Sequence, residues 1–172
     1  RITDAHQDAP FWPIGDAPLV SAWIPLDGST RENGALGYVP GSHTLGALKM
    51  VNLLQTTKAY DILSDPALGG QELVYVEAAK GTVMWHHGMT VHAALPNTTD
   101  TTRRAFTVVF IADGYPRAKS WKNFPLDRAG VDVGQPMQGD GLPLAWPREP
   151  GDIPDPPAAV GERTGPQVKL DD

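Results

Sequence analysis

A sandwich or barrel of short β-strands, all-β with minor α, is the fold that the sequence predicts. Three observations point there. The 172 residues include 18 Gly and 17 Pro, about a fifth of the chain and far too much punctuation for a helical bundle. Between the turn residues lie short runs rich in Val, Ile, Thr and aromatics, the residues that suit a pleated surface. The apolar and charged fractions, 41% and 20%, are those of a chain that packs a core.

Residues 19–26, LVSAWIPL, read as the first long strand. Both alternating sets are mostly apolar, so both faces are expected to be buried. DGSTRENG at 27–34 is a turn-rich loop, LGYV at 36–39 a short strand, and PGSH at 40–43 another turn. Residues 44–70 have no clean period and read as a weak helix around 47–64 or as a long loop. ELVYVE at 72–77 alternates and is a strand; GTVMWH at 81–86 and residues 90–95 are two more. After the turn PNTTDTT, RAFTVVFIA at 104–112 is the clearest strand of all. Residues 1–114 are therefore expected to form the core domain. Residues 115–172, rich in Pro and Gly, are expected to form an extension packed on that core or partly disordered. Trp121 and Trp146 are candidates to pin it, and Trp85 is expected in the core.

Several function classes are excluded. A net charge of −6 argues against nucleic acid or an anionic membrane as main partner. The absence of cysteine excludes thiolate catalysis and zinc–cysteine sites. No Gly-x-Ser-x-Gly elbow, Walker A string or Gly-x-Gly-x-x-Gly loop occurs. No run approaches the roughly 20 apolar residues that span a bilayer, and no basic-then-apolar leader opens the chain, so a cytoplasmic location is expected.

Chemistry begins at His6-Gln7-Asp8. Two residues apart in a strand lie on one face, so an imidazole and a carboxylate can meet there. They are two thirds of the two-His, one-carboxylate triad that holds non-haem Fe(II) with open positions. On its own the pair reads more readily as a solvated polar pair near a terminus. A third ligand would come from His43, His86, His87 or His92. A hairpin closed by PNTTDTT would place His92 opposite Arg103, with Cβ atoms about 5 Å apart. Arg103 could then clamp the far carboxylate of a dicarboxylate bound to the metal, while Arg104 faces away. His86 and His87 point to opposite faces, so at most one looks toward the metal.

HQDAPFWP, PLVSAWIPLDGSTRENGALGYVPGSH and GTVMWHHGMTVHAALPNTTDTTRRAF together resemble the phytanoyl-CoA dioxygenase family of Fe(II)/2-oxoglutarate oxygenases, over residues 6–112 and in the right order. The resemblance implies a double-stranded β-helix, a cupin-like jelly roll. It implies His6, Asp8 and His92 as metal ligands, Arg103 as the 2-oxoglutarate arginine and Trp23 as a co-substrate neighbour. Asn33-Gly34 and Gly41-Ser42-His43 match family loops that look structural. Two departures stand out. Ala94 replaces a serine that often helps to hold the co-substrate carboxylate, leaving Thr82 or Thr107 as alternative hydroxyls. Only five residues precede His6, so the chain is expected to be the C-terminal portion of a longer jelly roll, incomplete at its N-terminus. A further copy of the chain is a candidate to cover the exposed sheet edges.

The expected function is that of a non-haem Fe(II)/2-oxoglutarate-dependent dioxygenase. It would use O2 to hydroxylate an unactivated C–H bond of a small molecule and release succinate and CO2. Asp8 fills the position that related halogenases leave small, which favours hydroxylation. With no basic cluster to suit CoA phosphates, a non-CoA substrate is favoured. The alternative is a truncated or degenerate jelly roll that binds metal or ligand without turnover. A cupin-like metalloenzyme without 2-oxoglutarate is opposed by Arg103.

Overall fold

Seven strands and one short helix form in the computed structural model, which describes residues 3–51, 60–139 and 142–147. In chain order they are β1 (Thr3–His6), β2 (Leu19–Pro25), β3 (Leu36–Tyr38), β4 (Val74–Val76), β5 (Met84–His87), β6 (His92–Ala94), β7 (Ala105–Ile111) and α1 (Phe124–Arg128). All seven strands fall on the predicted β runs or, for β1, at the His-x-Asp segment.

The strands form two antiparallel sheets, ordered β1-β6-β3-β4 and β5-β2-β7. This is the jelly-roll architecture expected. Trp23 of β2 packs with Leu36 of β3 and Ala94 of β6, and Tyr38 and Met84 join them, so one small apolar cluster is shared by both sheets. The alternation in β2 explains its double burial: five of its seven residues are buried and the other two partly so.

One predicted pairing is wrong. Residues 90–95 and 103–111 do not form a hairpin. β6 pairs with β1 and β3, setting His92 across from His6 and from Tyr38. β7 lies in the other sheet, beside β2. The hydrogen bonds from Leu26 N to Arg104 O and from Ala112 N to Pro18 O set its antiparallel course. PNTTDTT therefore carries the chain from one sheet to the other. The loop is tied down by the Asn97 side chain, which accepts from Thr99 N and donates to Thr101 O, and by Thr98 N donating to Glu32 O.

The described part of 44–70 contains no α-helix, only 3₁₀ turns at Ser42–Leu45, Ile62–Ser64 and Pro66–Leu68. Residues 52–59 of the predicted helix lie outside the described residues. Val51, Ile62 and Leu68 form a buried cluster with Val39 and Val91, backed by Ala5, Leu48 and Leu73. The segment's apolar residues thus back the sheet that carries His6 and His92. The loop motifs are structural, as expected. Buried Ser42 donates to Val39 O and accepts from Val91 N, joining the ends of β3 and β6. Asn33 closes its turn by accepting from Thr30 N.

By internal contacts the chain divides into residues 1–10 with 19–110, which hold the two sheets apart from the last residue of β7, and residues 11–18 with those from 111 onward. In the second unit buried Arg117 donates to the carbonyls of Lys119, Trp121 and Val131 and pairs with Asp127. Asn123 caps helix α1: its side chain accepts from Leu126 N while Asp127 accepts from Asn123 N. Trp146, a candidate to pin the extension, is 86% exposed. Residues 140–141 and 148–172 of that extension lie outside the described residues. No helix among the described residues is long and apolar enough to cross a membrane.

Candidate metal centre

His6 ends β1, and the chain leaves the strand before Asp8, which sits in a bend. Strand alternation therefore does not bring them together, as the spacing had suggested; the bend does. Gln7 between them points away and is fully engaged. Its amide donates to Gly46 O and Met89 O at 2.8 Å and accepts from Leu48 N at 2.8 Å. Those bonds fix the backbone from which both candidate ligands project.

His92 comes to the same point from β6, directly across from His6. One donor atom from each of His6, Asp8 and His92 lies within 4.8 Å of the other two. Asp8 Oδ1 is 3.5 Å from His6 Nε2 and 3.6 Å from His92 Nε2. The tautomers follow from the other ring nitrogens. His6 Nδ1 is 2.8 Å from Asp4 O and His92 Nδ1 is 3.0 Å from Thr90 O. A carbonyl only accepts, so both Nδ1 atoms donate, and a neutral ring then turns its Nε2 lone pair toward Asp8. Three electron-rich atoms converging on one point form a set that a bound cation would hold together. Two imidazole nitrogens and one carboxylate oxygen are a donor set suited to Fe(II).

The electrostatics agree. Burial alone would raise the Asp8 carboxyl. Contacts with His6 and His86, the His92 ring and the Ser21 hydroxyl outweigh it and hold the group well below the usual carboxylate range. Burial pushes His92 down to about 4, against the pull of Asp8, so its ring is neutral near pH 7 and free to ligate.

A cavity of about 180 Å³ opens on this cluster, lined by His6, Asp8, Trp23, His86, His92 and Arg103 among others. Arg103 thus reaches the site, but over the inter-sheet loop and not as a cross-strand partner. Its guanidinium carbon is 5.3 Å from the centre of the Trp23 ring. Among the described residues no carboxylate pairs with it, and burial lowers its pKa. Thr107 also lines the cavity. Thr82 does not: it is exposed and donates to Ala79 O. Arg104 faces outward, with its Nε 2.9 Å from Asp27.

His86, His87 and His43 separate cleanly. His86 is buried beside Asp8, its Nε2 3.0 Å from Oδ2. His87 is exposed and accepts from Met89 N. His43 is exposed in its turn, 5.6 Å from the His87 ring. Gln7 and Ser21 also shape the site, and the sequence does not mark them. Ser21 Oγ donates to Asp8 Oδ2 at 2.7 Å. Their partners lie 13 to 82 residues away, and no local pattern marks such pairs.

Fold and donor set together define a jelly roll built around a two-histidine, one-carboxylate cluster. The chain belongs to the phytanoyl-CoA dioxygenase (PhyH) family, whose model matches residues 2–105. A Dictyostelium discoideum phytanoyl-CoA dioxygenase domain-containing protein 1 homolog is 31% identical over 112 residues, 63% of this chain and 40% of that protein. The chain spans about 40% of the length of the curated relatives it matches. Among solved structures, the non-heme alpha ketoglutarate dependent carbocyclase SnoK from nogalamycin biosynthesis superposes with a TM-score of 0.63 at 30% identity. That match covers 80% of this chain and 53% of SnoK. The epimerase SnoN, in complex with Fe3+, alpha ketoglutarate and nogalamycin RO, gives 0.64 at 27% identity, covering 81% and 56%.

Proposed function

We propose that this chain carries the catalytic site of an Fe(II)/2-oxoglutarate-dependent oxygenase acting on a C–H bond of a small molecule. His6, Asp8 and His92 hold the metal, and Arg103 takes the far carboxylate of 2-oxoglutarate. One observation carries the reading: three convergent donor atoms and a half-buried cation without a carboxylate partner among the described residues share one cavity. Bound iron would supply O2 activation coupled to decarboxylation of 2-oxoglutarate to succinate and CO2.

The protein's own part is placement. The Nδ1 bonds of His6 and His92 aim both Nε2 atoms at the metal position. The Trp23 ring lies under the Arg103 guanidinium and limits its swing. Thr107 lines the same cavity as Arg103 and is the candidate for the hydroxyl that Ala94 lacks. Hydroxylation is the outcome favoured for this chain, because Asp8 occupies the carboxylate position. A cytoplasmic location and a non-CoA small molecule belong to the same proposal.

The test is anaerobic addition of Fe(II) and 2-oxoglutarate to the purified chain. A visible charge-transfer band is expected, and admission of O2 with a turned-over substrate should bleach it and release succinate. His92→Ala should abolish the band. A metal-loaded chain with no band defeats the oxygenase reading; a band that never bleaches favours binding without turnover. Product mass then separates hydroxylation, which adds one oxygen, from ring closure or epimerisation, which do not.

A further inference from the structure

Three imidazoles surround Asp8, and they are not equivalent. His6 and His92 each spend an Nδ1–H on a main-chain carbonyl. His86 has no such bond. Its Nδ1 is buried and has no partner among the described residues, whereas its Nε2 lies 3.0 Å from Asp8 Oδ2. The ring N–H of a neutral His86 therefore goes to the carboxylate. Ser21 Oγ donates to the same oxygen at 2.7 Å. Ser21 and His86 are direct cross-strand partners in the β2–β5 ladder, so the two donors are held by one stretch of main-chain pairing.

We infer that His86, with Ser21, is a positioning residue that occupies Asp8 Oδ2 and leaves Oδ1 alone to face the metal. The inference rests on the metal-centre reading above and deepens it. Two donors take up the accessible lone pairs of Oδ2, while among the described residues the two Nε2 atoms stand before Oδ1. A carboxylate free to rotate could present both oxygens and take a second coordination position. Held this way it takes one. With iron bound, three protein donors would leave positions open for a co-substrate and O2. Hydrogen-bonded support of this kind around a metal ligand changes metal affinity by about 10–100-fold when it is removed.

The decisive experiment is Co(II) titration of the full chain without O2, read by visible absorption and calorimetry. His86→Phe, which keeps a ring and removes the donor, is expected to weaken Co(II) by about 10–100-fold and to alter the visible spectrum. His86→Gln places an amide N–H near the old Nε2 position and is expected to restore both. Ser21→Ala should shift the spectrum in the same direction by a smaller amount. The inference is overturned if His86→Phe binds within about twofold of the parent with the same spectrum. It is equally overturned if His86→Gln is as weak as a folded His86→Phe, or if both lose Co(II) as fully as His92→Ala, which would make His86 a ligand. If His86→Phe fails to fold, Ser21→Ala decides, and an unchanged spectrum defeats the idea. A parent chain that binds no Co(II) defeats the metal centre itself, a result distinct from a loss confined to the variants.

Discussion

Arg103 holds a positive charge beside the Trp23 face, half out of water, with no carboxylate against it among the described residues. A charge so placed has given up hydration without a counter-ion, and a bound carboxylate would restore the balance. Arg103→Ala should therefore weaken 2-oxoglutarate by about tenfold to a hundredfold, the worth of hydrogen bonds to a charged group, while leaving metal affinity as it was. Titration of the charge-transfer band on Fe(II)-loaded protein measures the first, and calorimetry the second. Equal losses in both would place Arg103 with the ligands instead. The residue pattern was legible where it was local. His6 and Asp8 stand two apart, and His92 precedes its Pro-Asn turn. Gln7 and Ser21 were invisible because their roles depend on which distant segment faces them.

At the scale of elements, β6 and β7 depart from the predicted hairpin. Two β runs separated by a turn-rich heptapeptide look like a hairpin, since local sequence records the turn and not the sheet each arm joins. Backbone pairing with β1 and β3 claims β6, and β2 claims β7. Arg103 still arrives at the site, because the crossing loop ends at the cavity. Gly34 sets that arrival. Its φ is +104°, and an added Cβ would stand 2.9 Å from Leu95 O and 3.3 Å from Arg103 Nε. Gly34→Ala should cost about 1–3 kcal/mol of stability, read by denaturant unfolding. It should also displace Arg103 and so weaken 2-oxoglutarate, with metal binding unchanged. An alanine variant of parental stability would show that the loop can relax around the methyl.

For the whole molecule, the outward face of the β5-β2-β7 sheet matters most. The two-sided burial expected of β2 holds, but Trp85, expected in the core, is 59% exposed and Phe106 57%, with Trp85 tilted against Phe110 at 5.8 Å. An apolar patch of this kind promotes self-association. Phe106→Ser should leave unfolding free energy within about 0.5 kcal/mol of the parent, as surface changes do, and should reduce light scattering at matched concentration. A large loss of stability would mean that Phe106 is packed after all.

The sequence by itself determined the β class, the strand positions and the residue types of a two-histidine, one-carboxylate centre. Periodicity, turn residues and short motifs are local properties, written within a few positions of one another. The tertiary structure alone decided which sheet each strand joins, which of the adjacent pair His86 and His87 faces Asp8, and that Ser21 and His86 share one carboxylate oxygen. Those outcomes depend on register between segments up to 78 residues apart. A one-residue slip would turn every side chain to the opposite face, and only the packed sheets exclude it.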